Sequence, residues 1–341
     1  MFEILFIIIG LSFLVIIHEA GHFFAAKFFG ILVEEFGFGL PPRIFGRKFG
    51  ETFISLNWLP FGGFVRVYGE RHDQEKSDVP SARSFSHQST PIRFCVMAAG
   101  VAMNFLLGWW LLSAVFMIGI PQSLIVTEIK SGSIAENLDI REGDQILGFD
   151  SIAGFTEFLK QSERSEISFR TSRSGEEKEI RTDFSNLIPE NRGKLGVYLV
   201  EAGTPKMAFL PALAGGFVEA WKMSLGIVLG LFRLAAGLFT DWSVFSGFAG
   251  PVGIVNIAAQ TAKLGLASFL RLLSLISLNL AVFNLLPIPA LDGGRILFLI
   301  IEKIKGKKVD PKNEMIAQAM SFVALIILIL GVTIQDILRL L

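Results

Sequence analysis

Hydrophobic positions along the chain fall into long, nearly unbroken stretches that two polar regions separate. A helix needs about 20 apolar residues to cross a bilayer, and four stretches reach that length: residues 1–29, 92–118, 268–301 and 316–340. The third is interrupted near Pro287 and Pro289, because proline has no N–H to continue a helix. The pattern predicts a multi-pass α-helical membrane protein with four transmembrane helices.

The first stretch resembles the apolar core of a signal peptide in length. It lacks the basic residues that precede such a core, and no small-residue cleavage site follows it. We therefore expect an uncleaved transmembrane helix.

A fifth apolar stretch, residues 207–240, differs because it carries Glu219, Lys222 and Arg233 and several glycines. A charged side chain in the middle of a membrane costs at least about 2.5 kcal/mol. We expect this segment to lie along the outer interface as an amphipathic helix, or to dip into the membrane and return.

The two polar regions have different characters. Residues 30–91 are rich in Gly, Phe and Pro, and residues 51–60 and 61–70 within them predict short strands joined by a glycine turn. Residues 122–202 predict an inserted α+β domain. The short loop before the last span holds five lysines, which places that loop in the cytoplasm. Four spans then put residues 30–91 on the cytoplasmic side and residues 122–202 outside.

Composition agrees with a membrane protein, since 52% of the residues are hydrophobic and 18% are charged, against about 25% charged in soluble domains. The net charge is zero, so no basic excess indicates a nucleic-acid partner, and the lipid bilayer is the expected surroundings. The single cysteine, Cys95, excludes a cysteine-rich zinc site and an internal disulfide.

The first span contains His18-Glu19-x-x-His22. Positions i and i+4 share one face of a helix, about 5.4 Å apart along its axis, so both imidazoles can reach one metal ion. Glu19 lies beside them and can act on a water molecule without being a ligand. The alternative is a His–Glu pair that tightens helix packing, but that alternative leaves a third candidate ligand in another span unexplained.

That third candidate is Asp292, a carboxylate in an apolar segment, where it needs a cation. Two histidines and one carboxylate leave a fourth tetrahedral position open, as in catalytic zinc sites, although iron or cobalt would also suit these ligands. A second role for Asp292, capping the half-helix after Pro289, is compatible with ligation. Asn284, two turns earlier, either binds the substrate backbone or developing oxyanion, or satisfies carbonyls that Pro287 leaves free.

Motifs along nearly the whole chain resemble those of the site-2 protease family of intramembrane zinc metalloproteases, in its bacterial branch with a PDZ domain. These motifs are HEAGH at 18–22, FGFG at 36–39, FGGFVRVYGE at 61–70, GVAMNF at 100–105 and NLLPIPALDGG at 284–294. The resemblance implies Zn²⁺ held by His18, His22 and Asp292, Glu19 as the catalytic base, and substrates that are transmembrane segments of anti-sigma factors or remnant signal peptides. It also implies a membrane-associated β-loop preceded by a G-x-G element, which makes Gly37 and Gly39 candidate substrate-binding residues.

Residues 131–150 resemble a PDZ core segment, with Asn137-Leu138 where Ala-Gly is typical. Residues 122–202 have room for one such domain, whereas better-known members carry two. The resemblance implies a bacterial cytoplasmic-membrane protease with its active site near the cytoplasmic leaflet.

Two other functions compete with a protease. A transporter or channel would show a polar stripe repeated along several spans or inverted repeats, and the sequence shows neither. An inactive relative that only binds membrane proteins would have no need of Glu19. The two remaining histidines, His72 and His87, lie in a polar loop and are expected at the surface.

Overall fold

The computed structural model describes residues 2–70, 79–161, 166–173, 176–183, 195–237, 250, 253–254, 261 and 265–340. His72 lies outside this part of the chain. The chain divides into two compact units, one formed by Met1–Val115 with Phe209–Leu341 and the other by Phe116–Ala208. In chain order the elements are α1 Phe2–Phe28, β1 Val33–Phe49, β2 Thr52–Val67, α2 Thr90–Ile118, β3 Ile120–Ile129, α3 Ile134–Asn137, β4 Gln145–Leu147, α4 Ile152–Gln161, β5 Glu166–Arg173, β6 Glu176–Asp183, β7 Val197–Thr204, α5 Phe209–Gly237, α6 Leu266–Leu285, α7 Asp292–Lys305 and α8 Pro311–Leu340.

Five helices in the described residues are long and apolar enough to cross a membrane, as expected of a multi-pass membrane protein. They are the segments Ile9–Phe28, Thr90–Ile118, Phe209–Leu234, Leu266–Leu285 and Pro311–Leu338. Four of them lie in the predicted spans, and the additional one falls in residues 207–240.

That additional helix, α5, is uninterrupted from Phe209 to Gly237. It therefore lacks the turn that a segment dipping into the membrane and returning would need. Its first half packs on α2: the Trp109 indole donates a hydrogen bond to the Leu213 carbonyl (2.8 Å), and a Cβ at Gly216 would lie 2.9 Å from the Ser113 nitrogen. Gly216 thus permits close approach of the two helices.

The predicted third span, 268–301, consists of two helices. α6 ends at Leu285 and α7 starts at Asp292, because Pro287 and Pro289 cannot donate the hydrogen bonds that would continue the helix. The connecting turn folds back on the start of α7. A Cβ at Gly293 would collide with the carbonyl oxygens of Leu285 and Leu286, so the glycine is required for this fold.

Strands β1 and β2 form an antiparallel sheet whose register breaks at Pro41 and Pro42, which lack the N–H of a sheet ladder. The first half of β1 is flanked on both sides: Phe36 lies opposite Val65 on one side and Ile54 on the other. The two predicted short strands are thus the two ends of β2, placed on opposite sides of β1.

The base of this sheet packs on the helices in one apolar cluster. Its buried members come from α1, β1, β2, α2, α7 and the connections before β1 and α2: Ala26, Ile31, Val33, Val67, Phe85, Val96, Met97 and Ile296. This cluster fixes the position of the sheet relative to the α1 histidines.

The second unit is a five-stranded antiparallel sheet with strand order β6-β5-β4-β3-β7 and two helices, an α+β arrangement. Its core contains Leu124, Val126, Ile146, Phe155, Ile167 and Phe169. An ion pair between an exposed guanidinium and a buried carboxylate joins two of its parts: Arg173 donates from Nε to Asp144 Oδ1 (2.7 Å) and from Nη2 to Oδ2 (2.8 Å).

Candidate metal centre

The two histidines of α1 face α2 at a point where the two helices nearly touch. A Cβ at Gly21 would lie 2.7 Å from the Ala99 carbonyl carbon, and a Cβ at Gly100 would lie 2.7 Å from His18 Cε1. Small residues at helix contacts let backbones approach closely. Here they leave room for the imidazoles of His18 and His22, both of which are buried.

Asp292, the first residue of α7, meets these imidazoles. Its Oδ2 atom lies 3.0 Å from His18 Nε2 and 3.2 Å from His22 Nε2, and the two Nε2 atoms are 3.2 Å apart. Tetrahedral zinc with ligand bonds of about 2.0 Å places its ligand atoms roughly 3.3 Å apart. The three side chains therefore have the spacing of three corners of a zinc tetrahedron.

The hydrogen bonding of Asp292 also fits a cation. Its Oδ2 atom is buried and has no hydrogen-bond partner among the described residues. A buried carboxylate oxygen without a partner is costly, and a metal ion removes that cost. The donor set of two imidazole nitrogens and one carboxylate oxygen suits zinc with one position left open.

The Nδ1 atoms of both imidazoles face α2. His22 Nδ1 lies 2.8 Å from the Val96 carbonyl oxygen, and His18 Nδ1 lies 3.3 Å from Asn104 Nδ2. Helix α2 therefore orients both rings from the side opposite Asp292.

Glu19 lies outside the group of three and faces the sheet. A Cβ at Gly63, in β2, would be 3.4 Å from Glu19 Cγ. Among the described residues, the 63–66 segment of β2 pairs with β1 alone, so it forms an edge strand beside Glu19.

Two cavities, of about 220 and 230 Å³, meet at Asp292, His18 and Glu19. The first lies toward the sheet and includes Phe64. The second includes Asn284, so the structure places this predicted residue within reach of the same space as Glu19.

The two predicted glycines lie elsewhere. Gly37 is in the middle of the sheet, opposite Phe64 on one side and Ser55 on the other, and its backbone is therefore already paired. Gly39 has a left-handed backbone (φ 75°). In neither case does the described geometry place the glycine at the sheet edge beside Glu19.

Three features near the centre escaped sequence reasoning. The Arg295 guanidinium pairs with Glu70 at the end of the sheet, and both line the first cavity. Asn104 lies against His18, and the edge strand begins at Gly63. The FGGFVRVYGE and GVAMNF motifs contained these residues, but sequence alone does not show which member of a motif faces the histidines.

Two histidines and an aspartate with metal-ligand spacing, beside a glutamate on an apolar H-E-x-x-H helix, define a membrane-embedded metalloprotease type of site. Comparison with known families gives the same class. The family model described as peptidase family M50 matches residues 6–328. The chain belongs to this family, the site-2 protease family of intramembrane proteases.

Curated relatives agree over nearly full length. A putative zinc metalloprotease of Clostridium perfringens is 33% identical, and the match covers 98% of each chain. A putative zinc metalloprotease of Synechocystis is 31% identical over 97% of this chain and 93% of the relative. The regulator of sigma-W protease RasP of Bacillus subtilis is 29% identical over 96% of each. The protein is thus a zinc metalloprotease.

Proposed function

We propose that this protein cuts peptide bonds inside the transmembrane segments of single-span proteins, with zinc held by His18, His22 and Asp292. The observation that carries the proposal is the convergence of three ligand atoms, one of them the unpartnered Asp292 Oδ2, beside Glu19. His18, Glu19 and His22 lie on a helix that is apolar enough to cross a membrane, so the substrate that reaches them is a membrane segment.

Each side chain has a distinct role in hydrolysis. When bound, zinc polarises the scissile carbonyl and acidifies water. Glu19 takes a proton from the attacking water and gives one to the leaving amine. His18, His22 and Asp292 leave Glu19 free for this task, because it lies on the sheet side of the centre.

The edge strand at 63–66 is the proposed docking place for the substrate. A helix that unwinds in the membrane exposes N–H and C=O groups that lipid cannot satisfy. Addition as a strand to this edge supplies partners and brings the substrate backbone next to Glu19. Asn284, across the second cavity, is placed to hold the substrate backbone from the other side.

Substrate pairing with the edge strand has a testable period. Successive groups of a strand point alternately toward and away from its neighbour. N-methylation of single substrate amides near the scissile bond is expected to lower kcat/KM at every second position. An effect that is uniform along the substrate would contradict strand addition.

The name of the Bacillus subtilis relative, regulator of sigma-W protease, supports the proposed substrate class. We infer that this chain acts on anti-sigma factors or remnant signal peptides in a bacterial cytoplasmic membrane. The second unit is proposed to be a single PDZ-like domain on the outer side, and the zinc centre to lie near the cytoplasmic leaflet.

Helix directions support four spans. Gly10 packs against Leu273 and His18 lies against Asp292, so the chain runs the same way along α1 and from α6 into α7. If α1 and α2 cross and return, α6 must start on the side where α1 starts. A crossing by α5 would put the start of α6 on the other side, so we infer that α5 lies along the outer interface.

Cysteine labelling tests this arrangement. With Cys95→Ser as background, Ser131→Cys and Ser268→Cys are both expected to react with an impermeant thiol reagent added from outside intact cells. Labelling at 131 alone, with 268 reachable from the cytoplasm, would show that α5 crosses the membrane.

The proposed reaction is tested with a purified single-span substrate in lipid nanodiscs. Mass spectrometry of the products should place the cut within the apolar segment, and a chelator should stop cleavage until zinc is returned. A cut confined to the polar flanks of the substrate would contradict intramembrane proteolysis.

A further inference from the structure

Asn104, in the middle of α2, is completely buried and lies beside a proposed zinc ligand. Its Nδ2 atom is 3.3 Å from His18 Nδ1, while its Oδ1 atom is buried without a hydrogen-bond partner among the described residues. An amide oxygen left unpaired next to a polar ring is costly, so this contact requires an explanation.

The proton on His18 decides what its neighbour must be. His18 Nε2 points at Asp292 Oδ2 and His22 Nε2 and needs a free lone pair to bind a metal. A neutral imidazole then carries its single proton on Nδ1, which makes Nδ1 a donor. His22 follows this rule, because its Nδ1 faces an acceptor, the Val96 carbonyl oxygen at 2.8 Å.

The amide of Asn104 must therefore present its oxygen to His18. The oxygen and nitrogen of an amide have nearly the same shape, and their assignment comes from the hydrogen-bond network. A half-turn of the amide replaces a contact between two donors by a hydrogen bond from His18 Nδ1 to Asn104 Oδ1. It also gives the unpartnered oxygen its donor.

We propose that Asn104 is a positioning residue for zinc: it accepts the His18 Nδ1 proton and thereby holds Nε2 toward the metal. The inference rests on the proposed ligand set. Helix α6 lies against this point of α2, where the Ser277 hydroxyl donates to the backbone carbonyl oxygen of Asn104 (2.8 Å) and not to its side-chain amide. Hydrogen-bond partners of metal-binding histidines typically change metal affinity by about 10–100-fold when they are removed.

Two substitutions show whether Asn104 acts as a hydrogen-bond acceptor, as a donor or through packing alone. Asn104→Leu keeps the branched shape and the number of side-chain heavy atoms and removes the acceptor. The zinc Kd of the purified full-length protein, measured by competition with a chromophoric chelator, should therefore rise about 10–100-fold. Asn104→Asp retains an acceptor and has no amide donor. Its zinc Kd is expected to stay within a few-fold of that of the unchanged protein.

Ser277→Ala is the matched control, because it removes a hydroxyl that bonds the backbone carbonyl of Asn104 and leaves the side-chain amide beside His18 in place. Its zinc Kd should be unchanged. Thermal unfolding of each variant without zinc shows whether the fold is kept. If Asn104→Leu fails to fold, Asn104→Asp still decides the question. A zinc Kd of Asn104→Asp that rises as much as on loss of a zinc ligand would overturn the acceptor role.

Other outcomes also overturn the inference. A wild-type zinc Kd in Asn104→Leu together with a raised KM would mean that Asn104 contacts the substrate. If the proposed ligand set is wrong, His18→Ala will keep its zinc, which distinguishes that failure from failure of this inference. If His18→Ala loses zinc and Asn104→Leu does not change the zinc Kd, this inference alone is overturned.

Discussion

Each of the two units holds an aspartate with a buried carboxylate oxygen, Asp144 and Asp292, and the two side chains are satisfied in opposite ways. Asp144, in the second unit, accepts hydrogen bonds from the Arg173 guanidinium (2.7 Å to Oδ1) and from the Arg141 backbone N–H (2.9 Å to Oδ2). Asp292 lies in the first unit, Met1–Val115 with Phe209–Leu341, called the helical unit below. Its Oδ2 atom lies between two imidazole nitrogens and has no hydrogen-bond partner among the described residues. The first carboxylate is complete within the protein, and the second requires a cation.

The charge balance of the two sites explains the difference. The hydrogen bond from Arg173 lowers the pKa of Asp144 below its ordinary value of 3.8, so this carboxylate stays ionised and ties β5 to the loop before β4. Neutral imidazoles that offer lone pairs cannot do the same for Asp292. A buried carboxylate with a complete set of donors is structural, whereas one that meets other lone pairs indicates a metal site.

Replacing each aspartate by asparagine should give the largest difference between the two sites. Asp292→Asn is expected to weaken zinc binding by more than about 100-fold and to abolish cleavage, because a neutral amide is a poor zinc ligand. Asp144→Asn, the matched control, should keep its zinc. Zinc content by mass spectrometry checks both variants, and full occupancy in Asp292→Asn would reduce Asp292 to a helix cap.

Glu19→Gln separates chemistry from metal binding within the helical unit. The variant should retain zinc, since Glu19 lies outside the group of ligand atoms, and should lose cleavage by about 10²–10⁴-fold, the usual contribution of a general base. Single-turnover cleavage with a model substrate measures the loss. Zinc lost from a folded Glu19→Gln protein would contradict the assignment of Glu19 as base.

In the second unit the expected effect of Asp144→Asn is local and smaller. Loss of the charged partner of Arg173 should make the amides of β4 and β5 exchange roughly fivefold faster, as for a net loss near 1 kcal/mol. Hydrogen exchange of the full-length protein at neutral pH measures this. Equal acceleration in the helical unit would show that the change is not confined to the second unit.

Acid should produce the same local loosening in the unchanged protein. Because the pKa of Asp144 in the fold lies below 3.8, its stabilisation is fully present above about pH 4 and disappears as the pH falls through the lowered value. Exchange of β4 and β5 in Asp144→Asn should lack this additional step. A step that persists in the variant would assign it to another carboxylate.

Sequence patterns predicted the parts that depend on local spacing. The i, i+4 positions of His18 and His22 fix a shared helix face, and Pro287 and Pro289 mark the break before Asp292. The structure places all three together. Such features can be predicted because helix geometry and proline chemistry act over a few residues.

The remaining parts depend on contacts that are distant in sequence. Asn104 meets His18 across 86 positions, and Gly63 lies beside Glu19 through the folded sheet rather than through its own motif. Gly37, predicted to bind substrate, is enclosed between neighbouring strands instead. For residues 207–240 the charges of Lys222 and Arg233 argued against a membrane crossing and left two arrangements open, and the structure shows one continuous helix over 209–237.

X-ray absorption at the zinc edge of the purified protein tests the central claim most directly, because it reports the number and the type of the ligand atoms. The account predicts four-coordinate zinc with two imidazoles and oxygen donors at about 2.0 Å and no sulfur. The number of imidazoles should fall to one in His22→Ala. Six-coordinate zinc, a sulfur ligand, or a spectrum unchanged by His22→Ala would contradict a site built from His18, His22 and Asp292.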